Sequence, residues 1–233
     1  MPCCHKDIVV IPLYNEVKTI ESILEKVHFY TKADILVVND GSDDGSSAKL
    51  PVKEWLTIIT HEKNIGYGQS LIDGFRYAID NKYKRVVTMD CDDQHEPQLI
   101  PDFFSGLADI DILSGSRYLV DYADNSPPPA DRKDINMRIT KLINRITYFN
   151  LTDSFCGFKG YRIEALSKLS LTEQGYGMPL QLWIQACKEK LKVAEKATKR
   201  IYSNVGRIFG GELDDPEKRF IYYKKIMEVE IHK

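Results

Sequence analysis

The stretch Arg85-Val86-Val87-Thr88-Met89-Asp90-Cys91-Asp92-Asp93-Gln94 decides how this chain folds. Its first half is apolar and β-branched, as expected of a strand buried on both faces. Its second half turns abruptly acidic. Just upstream, Leu71, Ile72, Phe75, Ala78 and Ile79 recur at helical spacing, so a helix leads into the strand. The same alternation runs back to the N-terminus. Residues 7–13 (Asp-Ile-Val-Val-Ile-Pro-Leu) read as a buried strand, and Val17, Ile20, Ile23, Leu24 and Val27 as a helical stripe. Residues 35–38 and 56–60 form the second and third strands. Strands and helices alternating at this spacing predict βαβ units, hence an α/β fold with a mostly parallel central sheet flanked by helices. Ligands of such sheets lie at the carboxyl ends of the strands. Tyr14-Asn15-Glu16, Asp40 to Asp44 and Asp90 to Gln94 each follow a strand, so all three polar clusters should converge on one edge.

Toward the C-terminus the pattern is less regular. A strand over residues 110–113 leads to Ser114-Gly115-Ser116-Arg117-Tyr118. Ser126-Pro127-Pro128-Pro129 must be an extended loop, since repeated proline excludes helix and sheet interior. Ile135, Ile139, Leu142, Ile143 and Ile146 mark an amphipathic helix, with Arg138, Lys141 and Arg145 as a basic stripe opposite its apolar face, which could meet an anionic acceptor or a membrane surface but reads first as a solvated face. A strand over 155–161, helices near 164–169 and 179–190, and a strand near 193–201 follow. Residues 204–215 read as a loop. Pro216 suits the first turn of a terminal helix over 216–231, which carries aromatic residues and docks on the domain. The organisation is one domain over residues 1–212 with a C-terminal helical extension over 213–233.

With 43% hydrophobic and 28% charged residues, the 233-residue chain has the composition of a soluble globular protein. A formal net charge of −2 argues against nucleic acid as the main partner. No stretch reaches the roughly 18 apolar residues that span a bilayer, and the first residues lack the apolar core of a signal peptide. Five scattered cysteines (Cys3, Cys4, Cys91, Cys156, Cys187) speak against a disulfide framework and for a reducing compartment, so the cytoplasm is expected.

Asp90, Asp92 and Gln94 share one side of the chain if the segment stays extended, because side chains then alternate with period two. Two carboxylates and an amide oxygen are hard ligands, suited to Mg2+ or Mn2+ bridging phosphates. A lone Asp-x-Asp is also a common solvated turn; its place after a buried strand favours function. Asp40-Gly41-Ser42-Asp43-Asp44-Gly45 opens like a calcium loop, but Pro51 stands where a bidentate acid is needed and a strand precedes it, so calcium is rejected. Asp40 is then a contact for base or ribose. Gly66-Tyr67-Gly68 opens a helix whose amides suit an anion, but Leu71 replaces the third glycine of a dinucleotide fingerprint. Arg117, after a strand, is placed to hold phosphate oxygens bidentately. The histidines show no paired ligand spacing.

Together these segments resemble family 2 glycosyltransferases of the GT-A fold (Rossmann-like, nucleotide-diphospho-sugar transferase), and within them the polyprenyl (dolichyl) phosphate mannosyl- and glucosyltransferase branch. The resemblance rests on six motifs in order: Pro12-Leu13-Tyr14-Asn15-Glu16, Val38-Asn39-Asp40-Gly41-Ser42, Gly66-Tyr67-Gly68, Met89 to His95, Gly115-Ser116-Arg117-Tyr118 and Asp153 to Phe158. It implies that Pro12, Tyr14, Glu16, Val38 and Asp40 line a nucleoside pocket. It further implies that Gly66, Asp90, Cys91 and Asp92 follow the donor, that Asp92 and Gln94, with Asp90, hold the metal, and that Asp92 and Arg117 are catalytic. Arg117 and Arg207 would contact donor or acceptor phosphates, with Arg132 a further candidate. The implied activity is metal-dependent, inverting hexose transfer from a GDP- or UDP-hexose to an acceptor, foremost a polyprenyl phosphate reached at the membrane surface or through a membrane-bound partner. Asp153 and Glu173 are the candidate bases if the acceptor is a sugar hydroxyl of a soluble or cell-surface glycan. The chain departs from the branch at Leu213, where a phosphate-binding lysine is usual, at Gln181, where an acid is common, and at Asn39, which replaces the first of two adjacent acids. The changes at Gln181 and Leu213 favour a rival reading, a donor-binding scaffold without turnover. A nucleotidyltransferase would want a glycine-rich basic loop where Tyr14-Asn15-Glu16 stands.

Overall fold

The computed structural model describes residues 6–202 and 209–233. Seven strands form one sheet: β1 (Asp7–Leu13), β2 (Asp34–Asn39), β3 (Leu56–Thr60), β4 (Arg85–Thr88), β5 (Ile112–Ser116), β6 (Lys159–Arg162) and β7 (Val193–Ala197). Their spatial order is β3-β2-β1-β4-β6-β5-β7. Only β6 runs antiparallel to its neighbours, β4 and β5. The helices are α1 (Ile20–Tyr30), α2 (Tyr67–Asp80), α3 (Ile100–Ser105), α4 (Ala130–Thr147), α5 (Ile163–Leu166), α6 (Met178–Lys188) and α7 (Pro216–His232).

Period-two alternation divides each central strand between two cores. Val9 and Ile11 of β1, with Ile35 and Val37 of β2, pack beneath Ile20, Ile23 and Leu24 of α1 and Phe103 of α3. Ile8, Val10, Leu36 and Val38 face the other way, toward Leu71 and Phe75 of α2 and the α4–α6–α7 side. A strand with both faces covered must be apolar throughout, which is why β1 and β2 read as unbroken runs. α7 packs on α6 and α4. It buries Tyr223 and Met227 in the same core, and its Glu230 carboxylate accepts from Gln181 and Gln185 of α6.

Parallel β1, β2 and β4 end at one edge of the sheet, which collects the loops after them. β5 runs in the same sense, so Arg117 leaves at that edge too; antiparallel β6 begins there. Strand β6 starts at Lys159, four residues later than the expected 155, because Gly157 passes directly against Asp90. A Cβ at Gly157 would lie 2.3 Å from Asp90 Oδ2. The Thr88 hydroxyl holds the Gly157 carbonyl in place at 2.7 Å.

Candidate active site

The strand-end loops and the segments facing them enclose a cleft of about 1260 Å³. Two loops make its first wall. Asn15, at φ 56°, exchanges two hydrogen bonds with Asp43, at 2.8 and 3.0 Å. Glu16 N–H donates to Ser46 Oγ and Val17 N–H to Asp44 Oδ2, both at 2.9 Å. The loop that suggested calcium is therefore a clasp on the 14–17 loop, its carboxylates satisfied by amides. Pro12, Tyr14 and Glu16 line the cleft behind this clasp. Val38 does not: it is fully buried in the core on the α2 side, one residue short of the strand end.

Asp40 lines the cleft but spends much of its carboxylate on the fold. Oδ1 accepts Ile65 N–H at 2.8 Å and lies 2.7 Å from His61 Nδ1, while Oδ2 accepts Gly66 N–H at 2.8 Å. The anion met by the amides ahead of α2 is this side chain. Gly66 and Gly68 are required for another reason. Residues 173–175 cross them so closely that a Cβ would lie 2.4 Å from Gln174 O and 2.3 Å from Glu173 O.

The acidic segment reaches the cleft by a different backbone path from the expected one. Residues 91–93 bend rather than continue as extended chain, and Asp93 turns left-handed at φ 61°. Asp90, Cys91, Asp92 and Gln94 nonetheless all line the cleft, while Asp93 points out to Lys26 at 2.9 Å. Asp92 Oδ1 accepts the Gln94 amide at 3.1 Å, closing the turn. Cys91 is buried, its thiol 3.3 Å from Pro12 O. His95 Nδ1 accepts Asp90 N–H at 3.1 Å, fixing the start of the bend. Tyr67, which spacing alone did not single out, donates its hydroxyl to Asp90 Oδ1 at 3.0 Å. Burial, and then the Asp90 carboxylate, push that phenol well above its usual range, so it remains a donor. Its place between two motif glycines was the available signal.

Among the described residues no cluster of three or more His, Cys, Asp or Glu could cage a metal ion. The donor set instead fits a hard cation that keeps several waters and takes one or two carboxylates plus substrate phosphates, as Mg2+ does.

Arg117 lines the same cleft with its fork already engaged. Nε lies 2.6 Å and Nη2 3.0 Å from the two oxygens of Asp153. Asp153 is fully buried and also accepts from Asn136 Nδ2 at 2.8 Å and from Phe155 N–H. Burial opposes its charge, but Arg117 outweighs it and holds the carboxyl down at about 2. With both oxygens engaged by Arg117 and Asn136 and its charge stabilised there, Asp153 is placed as the partner of Arg117 rather than as a base. It orients Arg117, whose Nε and Nη2 are both taken by this carboxylate, so a bidentate grip on phosphate through that pair is not available. Glu173, the other candidate base, accepts the Tyr222 hydroxyl and Gly175 N–H and is not among the cleft-lining residues. Gln181 is also outside it: buried, it accepts Thr172 and Glu173 amides and donates to Glu230. That substitution is a structural fastening of α7, which removes its weight as a sign of lost activity.

At the α7 end of the cleft, Arg132 and Arg219 flank the Phe209 ring, their guanidinium carbons 4.9 and 4.3 Å from its centre. Arg219 Nη1 donates to Leu213 O at 2.7 Å and Nη2 meets Asp131 at 2.5 Å. A guanidinium thus occupies the corner that Leu213 leaves without a lysine. Arg207 lies outside the described residues.

A mostly parallel sheet with helices on both faces and an acid-bearing cleft at its strand ends defines a GT-A fold. Solved structures agree on the fold: glucosyl-3-phosphoglycerate synthase from Mycobacterium tuberculosis, in complex with Mn2+, UDP and glucosyl-3-phosphoglycerate, superposes with a TM-score of 0.73 at 16% identity, covering 98% of this chain and 81% of that one. The glycosyl transferase family 2 model matches residues 8–170. The chain belongs to that family and is a glycosyltransferase. Among its relatives, an undecaprenyl-phosphate mannosyltransferase of Micrococcus luteus is 26% identical over 194 residues, covering 80% of this chain and 79% of its own. A UDP-N-acetylglucosamine–dolichyl-phosphate N-acetylglucosaminyltransferase of Methanococcus voltae is 26% identical over 241 residues, covering 94% of each.

Proposed function

We propose that the protein transfers a hexose, with inversion, from a GDP- or UDP-hexose to a polyprenyl phosphate, and that Mg2+ or Mn2+ is held with Asp92, Gln94 and Asp90. The observation that carries this reading is the division of the cleft. Carboxylates gather at the ends of β1, β2 and β4, Arg117, Arg132 and Arg219 stand at its other segments, and neither candidate base is available. An acceptor phosphate is already an anion near neutral pH and needs no strong base, whereas a sugar hydroxyl would. The relatives whose names specify lipid-phosphate acceptors support the same choice.

On this reading the nucleoside lies against Pro12, Tyr14 and Glu16, and Asp40 keeps the 65–66 turn in place beside it. A phosphate oxygen of the acceptor attacks the anomeric carbon as the bond from that carbon to the diphosphate breaks. The cation supplies neutralisation of the charge gathering on the leaving diphosphate. Arg117, held rigid by Asp153, adds a fixed positive edge to the cleft, and a fixed donor needs no reorganisation during reaction. Tyr67 acts through Asp90, orienting its carboxylate.

A donor screen with manganese tests the proposal, adding polyprenyl phosphate or soluble sugars in turn and following both nucleotide release and glycosylated product. Glycosylated polyprenyl phosphate is the expected product. Transfer only to soluble sugars would overturn the acceptor, and donor binding with no transfer to any acceptor would return the scaffold reading. Tyr67→Phe removes only the hydroxyl that fixes Asp90. Its expected effect is a loss of about 10- to 100-fold in manganese affinity or in kcat/KM, the usual cost of removing a hydrogen bond behind a metal ligand. Manganese titrations of the turnover rate measure it.

A further inference from the structure

The outward face of α4 carries a patch that the catalytic cleft does not use. Met137, Lys141, Arg145 and Tyr148 lie at positions i, i+4, i+8 and i+11, within one narrow arc of the helix. The opposite face of the same helix sends Arg132, Ile135 and Asn136 to the cleft. Met137 is 53% exposed, and Tyr148, which ends the helix in a left-handed turn, is 82% exposed. Between them runs a shallow groove of about 680 Å³, floored by Thr140, Asn144 and Leu151. Neighbouring Arg138 is neutralised by Asp134 at 3.2 Å and covers the Phe220 ring. Lys141 and Arg145 have no carboxylate partner among the described residues. Glu195, which meets the groove at Thr152, is turned to the Thr152 amide and hydroxyl.

Two unneutralised cations beside an exposed aromatic ring and an exposed thioether, on a protein of net charge −2, are complementary to an anionic lipid surface. Tyrosine suits that boundary because its ring enters the apolar layer while its hydroxyl stays wet. Among the described residues no helix is long and apolar enough to cross a membrane. We propose that this face of α4 is a membrane-docking surface for anionic phospholipid. The inference rests on the polyprenyl phosphate reading for its purpose, since it would keep the protein at the membrane that carries the acceptor, but its chemistry is independent of turnover.

Vesicle co-sedimentation without nucleotide sugar or acceptor tests it, comparing phosphatidylcholine alone with an equal mixture of phosphatidylcholine and phosphatidylglycerol. The protein should bind the anionic vesicles, lose that binding as salt is raised, and bind neutral vesicles weakly. Lys141→Gln with Arg145→Gln should weaken binding about 30-fold, as expected for two charges near an anionic surface. Tyr148→Ser should weaken it further. All three side chains are exposed, so thermal unfolding should match the parent. Equal binding to both vesicle types, no binding to either, or unchanged binding of the double variant would each overturn the proposal. Vesicle binding through this patch, with no transfer to polyprenyl phosphate, would remove the acceptor assignment and leave the docking surface standing. Transfer to polyprenyl phosphate with no patch-dependent binding would do the reverse.

Discussion

Asp153→Asn is expected to cost about 3–5 kcal/mol of stability, the range for breaking a buried ion pair and leaving one charge uncompensated. Arg117, only 18% exposed at its side chain, would lose two charge-assisted hydrogen bonds, and Asn136 would lose its carboxylate acceptor. The effect depends on pH in a defined direction. The folded carboxyl sits at about 2, below its ordinary 3.8, so the folded state favours the ionised form. The stabilisation is fully present above about 3.8 and is lost as pH falls through about 2. Denaturant unfolding across that range should show the parent losing stability more steeply than the variant. Turnover separates the two roles of the pair. Arg117→Met with Asp153→Leu should recover part of the stability, since paired removal leaves no stranded charge, yet remain poorly active, because the fixed positive edge in the cleft is gone. Full activity in the double variant would show that Arg117 is only structural.

Asp92→Asn should lower turnover about 100- to 1000-fold, the scale at which a single preorganised electrostatic contact to a developing charge acts. The substitution keeps the shape of the side chain and an oxygen to accept the Gln94 amide, so the 92–94 turn should persist. Nucleotide release at saturating manganese is the measurement, with a chelator added to the parent as the companion experiment. An Asp92→Asn protein with full, chelator-resistant turnover would sink the proposed metal role. Asp93→Asn is the control on the same segment. Its carboxylate faces Lys26 in solvent, outside the cleft, and an exposed pair of that kind contributes little.

Much of this was legible in the sequence because it depends on local pattern. Apolar runs covered on both faces, helical stripes between them, and polar residues just after each run determine a mostly parallel α/β sheet and place three loops at one edge. Tyr14, Glu16, Asp40 and the Asp90 to Gln94 segment follow from that topology, since parallel strands must end on the same side, whereas Pro12 was implied by the family resemblance alone. Departures came where distant segments press on one another. The 90–94 segment was expected to stay extended after the strand, but Asp93 turns left-handed and Gly157 passes against Asp90. Its side chains reach the cleft through a bend rather than by alternation. Val38 fits the nucleoside motif by order, yet burial on the α2 side takes it out of the cleft.

The sequence by itself determined the fold class and the place of the acidic segment, because hydrophobic period and strand-end chemistry are properties of neighbouring residues; the family was legible only through the order of six motifs that resemble family 2 glycosyltransferases. Only the tertiary structure decided what the isolated charges do. Asp153 lies 36 positions from Arg117, Tyr67 lies 23 from Asp90, and Gln181 lies 49 from Glu230. Whether such a group is a base, a clamp or a fastening depends on the partner that folding brings to it and on the water that folding takes away, and neither is written in the local chain.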